Sequence, residues 1–171
     1  MKIAFYTLGC KVNQYESNWL SERLEQSGLT TVSYTQEADV YVINSCTVTA
    51  ESDRKTRQAV RRFRHNHPDS IIVLTGCMPQ AFPADAEKLT EADIVIGNRS
   101  NTQLPALLEA YFQRRERIVQ IEKHTPDETF AACNIADFEG RTRASVKIED
   151  GCNRPYDKDR VSAQESIAFR R

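Results

Sequence analysis

Apolar residues gather in short continuous runs, and longer stretches with helical spacing separate them. The runs KIAFYT (2–7), ADVYVINS (38–45), SIIVLTG (70–76) and ADIVIG (92–97) are rich in β-branched residues and bounded by turn formers. Such runs read as strands buried on both faces. RIVQI (117–121) is a shorter candidate for a last strand. Between the runs, NQYESNWLSERLEQSG (13–28) reads as a helix, with Leu20 and Leu24 one turn apart. Asn13 is its expected N-cap, Glu16 the capping-box partner and Gly28 the residue that closes it. TAESDRKTRQAVRRFRHNH (49–67) reads as a second helix, ended by Pro68, with Val60 and Phe63 toward the core. A short helical piece is expected at Asp85–Leu89. In SNTQLPALLEAYFQRRE (100–116), Leu104, Leu107, Leu108, Tyr111 and Phe112 form one apolar stripe, the clearest helix of the chain.

Strands that alternate with helices must run parallel and cross over right-handedly. The expected fold class is therefore α/β: an open, mostly parallel, Rossmann/flavodoxin-like sheet of about five strands flanked by helices. After His124 the pattern fades. The expected division is an N-terminal domain over 1–124, a linker over 125–144, and the short start of a second domain over 145–171.

Charge changes this picture little. The net charge of −1 gives no global sign of a nucleic-acid binder, although a local basic face is compatible with it. The opening MKIAFYTLGC is too short a run for a secretory signal, and no stretch approaches the roughly 18 apolar residues of a membrane span. The expectation is a cytoplasmic protein without membrane contact. In that compartment the five cysteines read as spare, catalytic or metal-bound thiols rather than as a disulfide framework.

Three of them change the picture more. Cys10, Cys46 and Cys77 each follow a predicted strand. In a parallel sheet all carboxyl ends share one edge, and ligands bind there. Cysteines far apart in sequence can thus converge. Gly9 and Gly76 allow the backbone to turn tightly beside them, and the N-terminus of the first helix points positive charge at the same edge, favouring thiolates. Zinc would ask for four ligands, or three and a water. A [4Fe–4S] cluster held by three cysteines keeps one iron open. The plain alternative is three small apolar side chains that pack.

GCKVNQYES, INSCTVT and TGCMPQ resemble the N-terminal domain of the radical S-adenosylmethionine methylthiotransferases. The first motif looks most like the branch acting on N6-threonylcarbamoyladenosine beside the anticodon of tRNA. The resemblance runs from Met1 to about Cys152. It implies that Cys10, Cys46 and Cys77 bind an auxiliary [4Fe–4S] cluster. It also implies a second [4Fe–4S] cluster, on a Cys-x3-Cys-x2-Cys motif, that binds S-adenosylmethionine, and methylthio transfer to C2 of the adenine, with tRNA as the partner.

The segment EDGCNRPYDKDRVSAQESI departs from that pattern. Cys152 matches the first ligand of the radical cluster, but Tyr156 and Asp159 stand where the next two would fall. PYDKDR resembles the family's stretch just after the missing cysteines, which implies that the residues carrying them and most of the barrel beyond are absent. An aspartate is too hard a donor to replace a thiolate there. The chain alone is therefore expected to be catalytically incomplete, with Cys152 a lone remnant. The alternatives are a non-catalytic module that binds iron–sulfur or tRNA, and an inert relic.

Other signals are read more plainly. Arg54, Arg57, Arg61 and His65 form a basic stripe, either a tRNA phosphate contact or, as favoured here, a solvated face. His65 and His67 sit at a helix end and are not taken as a metal pair. Cys133 is read as a spare thiol. Asp85, Glu87, Glu91 and Asp93 are read as surface. Asn13, Asn44 and Ser45 flank the cysteines, where they either hydrogen-bond sulfur or cap turns.

Overall fold

The computed structural model describes residues 1–47 and 49–122. Six parallel strands form one sheet in the order β2-β1-β3-β4-β5-β6. They are β1 (Lys2–Thr7), β2 (Thr30–Val32), β3 (Val40–Ser45), β4 (Ile71–Gly76), β5 (Ile94–Ile96) and β6 (Ile118–Gln120). The helices are α1 (Lys11–Gln26), α2 (Ala50–Asn66), α3 (Cys77–Ala81), α4 (Pro83–Glu87) and α5 (Leu104–Arg114), with a 3₁₀ turn at Asn98–Gln103 before α5. This is the open, doubly wound α/β arrangement expected from the alternating pattern.

Alternation along each strand divides the core in two. Ile3, Val40, Val42, Val73 and Ile94 face α1 and α5, where they meet Leu20, Leu24, Leu104 and Leu108. Ala4, Tyr41, Ile43, Leu74 and Val95 face α2, α3 and α4, where Val60, Phe63, Met78 and Ala86 cover them. The central β3 and β4 are buried at every position, which explains why they read as unbroken apolar runs. Consecutive strands change direction of progress across the sheet between β1 and β3, so the crevice at their carboxyl ends is a topological switch point.

Four local expectations need correction. The sheet has six strands rather than about five, because the polar TTV of β2 pairs in register with Lys2–Ala4. Three residues with two threonines carry too little apolar signal to be seen alone. Asn13 does not cap α1. The helix starts two residues earlier, Cys10 occupies the N-cap with extended backbone, and no side chain caps it. Asn13 and Glu16 are both buried instead, because the Asn13 amide finds partners on β3 rather than on its own turn. The helix expected from Ser100 becomes α-helical only at Leu104, with Pro105 in its first turn, where a missing N–H costs least. The helical piece expected at Asp85–Leu89 spans Pro83–Glu87, and α3 precedes it unforeseen. The limits drawn at 124/125 and 144/145, together with Cys133, Cys152, Tyr156 and Asp159, lie outside the described residues.

Candidate functional site

The three cysteines lie at the carboxyl ends of three neighbouring strands. Cys10 stands between β1 and α1, Cys46 directly follows β3, and Cys77 opens α3 directly after β4. Cys10 is exposed, Cys46 is buried and Cys77 is half-buried, and none forms a disulfide.

Asn13 links two of them. Its Oδ1 accepts from Cys10 Sγ at 3.2 Å and lies 4.0 Å from Cys77 Sγ. Its Nδ2 donates to the Ser45 carbonyl at 2.8 Å and to Asn44 Oδ1 at 3.3 Å. Asn44 answers through its own Nδ2, which donates to the Asn13 carbonyl at 2.9 Å and to Ser17 Oγ at 3.0 Å. Asn44 has no solvent exposure and Asn13 almost none, so this pair of amides clasps α1 to β3 and sets one oxygen against two sulfurs. Of the two roles foreseen for Asn13, contact with sulfur is the one present. Ser45 serves β4 and α3 instead, donating to the Thr75 carbonyl at 2.6 Å and accepting from Met78 N at 3.2 Å.

Two glycines make the close approach possible. A Cβ on Gly9 would stand 2.5 Å from Cys46 Cβ and 2.9 Å from its Sγ, at a φ of +107°. One on Gly76 would meet the Ser45 carbonyl oxygen at 2.4 Å, at a φ of +99°. Both positions need a residue without a side chain.

The electrostatics differ from the expected thiolate-favouring edge. Burial pushes the Cys77 thiol up to about 12, and the Glu16 carboxylate and the neighbouring Cys46 and Cys10 push the same way. A hydrogen bond from Asn98 Nδ2, at 3.9 Å from Cys77 Sγ, opposes them. Low dielectric and negative neighbours disfavour the thiolate at Cys77. Among the described residues no group of three or more His, Cys, Asp or Glu side chains is disposed to hold a metal ion.

Glu16 and Asn98 are site residues that sequence reasoning missed. Glu16 was absorbed into a capping box that does not form. One residue separates Asn98 from the end of β5, so the strand-end logic that found the cysteines would have found it too. Its Oδ1 is buried without a hydrogen-bond partner.

The basic stripe resolves into ion pairs. Arg54 meets Glu51 at 2.6 Å, Arg57 meets Asp85 at 3.1 Å, and Arg61 meets Glu91 at 3.1 Å. Arg64 meets Asp93 and also donates to the Pro68 and Ser70 carbonyls at 2.8 and 2.9 Å. Asp93 is therefore no simple surface group. It is half-buried and also accepts from Ile72 N at 2.7 Å and Tyr111 Oη at 3.0 Å. His67 stacks on Tyr41, with ring centres 4.4 Å apart, while His65 is exposed.

Comparison with known proteins places this geometry in a context. The model of the uncharacterized protein family UPF0004 matches residues 2–97, more than half of the chain. The chain is 40% identical to the threonylcarbamoyladenosine tRNA methylthiotransferase MtaB of Aquifex aeolicus, covering 94% of this chain and 41% of that protein. It is 38% identical to the MtaB of Bacillus subtilis, covering 88% of this chain and 34% of that protein. It is 31% identical to the tRNA-2-methylthio-N(6)-dimethylallyladenosine synthase of Natranaerobius thermophilus, over 87% of this chain and 34% of that protein. The chain thus spans between a third and two-fifths of the length of these curated relatives. In fold it is similar to the isolated REC domain of RcsB from Salmonella enterica, with a TM-score of 0.50, 15% identity, and coverage of 70% of this chain and 92% of that one. That likeness speaks for the doubly wound sheet alone. The chain belongs to the UPF0004 family, as the domain that opens MtaB-like tRNA methylthiotransferases.

Proposed function

We propose that this chain is the auxiliary-cluster domain of a cytoplasmic tRNA methylthiotransferase acting on N6-threonylcarbamoyladenosine beside the anticodon. Cys10, Cys46 and Cys77 would hold a [4Fe–4S] cluster. The observation that carries the reading is that three cysteines stand at the carboxyl ends of three neighbouring parallel strands, two of them against one buried asparagine. The branch is supported by the relatives, since two at 40% and 38% identity act on threonylcarbamoyladenosine and one at 31% on the dimethylallyl nucleoside.

The donor set fits the group by its chemistry. Thiolates suit iron–sulfur clusters, and a cluster spreads its ligands over several metal atoms rather than gathering them on one ion. Loading displaces protons from the thiols, and burial holds the Cys77 proton more firmly than an ordinary thiol's. Asn13 accepts from Cys10 as a thiol, so the same loading frees its Oδ1. Asn98 donates to the Cys77 sulfur and stabilises its charged form. Bound there, the cluster would supply an open iron for a sulfur species. Gly9 and Gly76 keep the backbone close enough for that edge to stay narrow.

The radical half of the reaction asks for three further cysteines and S-adenosylmethionine, and of those cysteines only Cys152 has a counterpart. The chain alone is accordingly read as unable to complete the transfer. Incubation with S-adenosylmethionine, reductant and unmodified tRNA should give no methylthio nucleoside. Its appearance would overturn incompleteness while leaving the family reading intact. The cluster itself is tested by the paramagnetic resonance of the anaerobically reconstituted, reduced chain. A [4Fe–4S] signal is expected, and none from a folded, iron-treated chain would leave the plain packing reading of the cysteines.

A further inference from the structure

Beside the thiol edge lies an open cleft of about 510 Å³. It exists because β2 is short. β2 pairs only with Lys2–Ala4, so β1 runs on through Phe5, Tyr6 and Thr7 with no strand on that side among the described residues. α1 forms the facing wall through Gln14, Ser17, Asn18 and Ser21, and Thr31 and Ser33 close the far side.

The lining is part polar and part apolar, and carries no charged side chain. It offers hydroxyls and amides, and the three aromatic rings of Phe5, Tyr6 and Tyr34. Tyr34, 46% exposed, meets Tyr6 edge to face with ring centres 5.2 Å apart. The cations are at the rim. The Arg62 guanidinium lies 5.1 Å above the Tyr6 ring. Lys11 heads the helix face that continues through Gln14, Asn18 and Ser21. Neither has a carboxylate within ion-pair distance among the described residues, whereas Arg54, Arg57, Arg61 and Arg64 each have one.

The cleft also shares a wall with the thiols. Ser17 accepts from Thr7 Oγ1 at 2.7 Å and from Asn44 Nδ2 at 3.0 Å. Asn44 in turn holds Asn13, which touches Cys10 and Cys77.

We propose that this cleft, between the free edge of β1 and α1, binds an unstacked base of single-stranded RNA, with Lys11 and Arg62 on its phosphates. Neutral hydrogen-bonding groups, an exposed aromatic face and unpaired cations at the rim are what a single-stranded nucleotide needs. An extended uncharged peptide would also find the strand edge, but it would leave the two cations without a partner. The inference rests on the tRNA reading above and extends it to a second contact beside the site of chemistry.

The test is a nuclear magnetic resonance titration of the full chain with a heptameric oligoadenylate RNA, beside an uncharged extended peptide. The expected result is saturable shifts at Thr7, Ser17, Ser21 and Tyr34. Tyr34→Ala should weaken binding about fivefold or more, the scale of one lost stacking contact. Lys11→Ala should weaken it and flatten its salt dependence. Asn18→Ala, which leaves the Tyr6–Tyr34 contact in place, repeats the test should Tyr34→Ala perturb the fold. Glu109→Ala on α5 should bind as the parent does. RNA binding that ignores both cleft variants, no binding, or shifts with the peptide alone would overturn the proposal. Iron counting on the same sample separates the two readings. A chain that loads iron but leaves the cleft empty refutes only the cleft, and one that binds RNA there without ever loading iron refutes only the cluster.

Discussion

Cys77 joins two opposing demands in one side chain. Its surroundings keep it protonated, yet metal binding asks for its thiolate. The thiol is raised from 9.0 to about 12, first by burial and then by Glu16 and the two other cysteines. In the unfolded chain it ionises near its ordinary value, so the folded state binds more protons between the two values. Stability from this group is therefore whole below about pH 9 and is lost as pH rises toward 12. Thermal unfolding of the parent should fall more steeply across that window than that of Cys77→Ser, and parallel curves would contradict this picture of the site. The two glycines lead to a sharper expectation. Gly76→Ala must place a Cβ against the Ser45 carbonyl at a positive φ, and should cost about 2 kcal/mol or more in urea unfolding. Gly28, also at positive φ but with nothing within 4 Å of a new Cβ, should cost less.

Among the elements, α1 and α2 show how unequal similar-looking polar contacts are. The Asn13–Asn44 clasp is buried and hydrogen-bonded throughout. Asn44→Ala strands the Asn13 carbonyl and Ser17 from their donor, and should destabilise by about 1–3 kcal/mol. On α2 the ion pair of Arg54 with Glu51 is exposed on both sides, and Arg54→Ala should leave the urea midpoint nearly unchanged. Arg64, half-buried and bonded to Asp93 and three carbonyls, should cost more than Arg54 in the same assay. The sequence could not separate these arginines. Periodicity tells which face of a helix a residue occupies, but the partners of Arg57, Arg61 and Arg64 come from the region of α4 and β5, roughly thirty positions later. The same limit explains Asn13. A local rule matched it to a cap, while its true partners were 31 and 32 positions away.

For the molecule as a whole, the sheet and the place of three cysteines along one of its edges were legible because both follow from one rule. Buried parallel strands announce themselves as apolar runs, and their carboxyl ends must share an edge. Cys10, Cys46 and Cys77 could be placed at that edge on this ground alone. What escaped was what depends on shape rather than order: the short β2, the cleft it leaves beside β1, and the crowding that raises the Cys77 thiol. Everything proposed for the thiols requires that edge to be a metal site. Its most direct test is anaerobic reconstitution with iron and sulfide, then iron counting on the parent beside a Cys10→Ala, Cys46→Ala, Cys77→Ala variant. About four irons per parent chain, lost in the variant, is the predicted result. A folded parent that retains no iron, or a variant that retains as much, would contradict it.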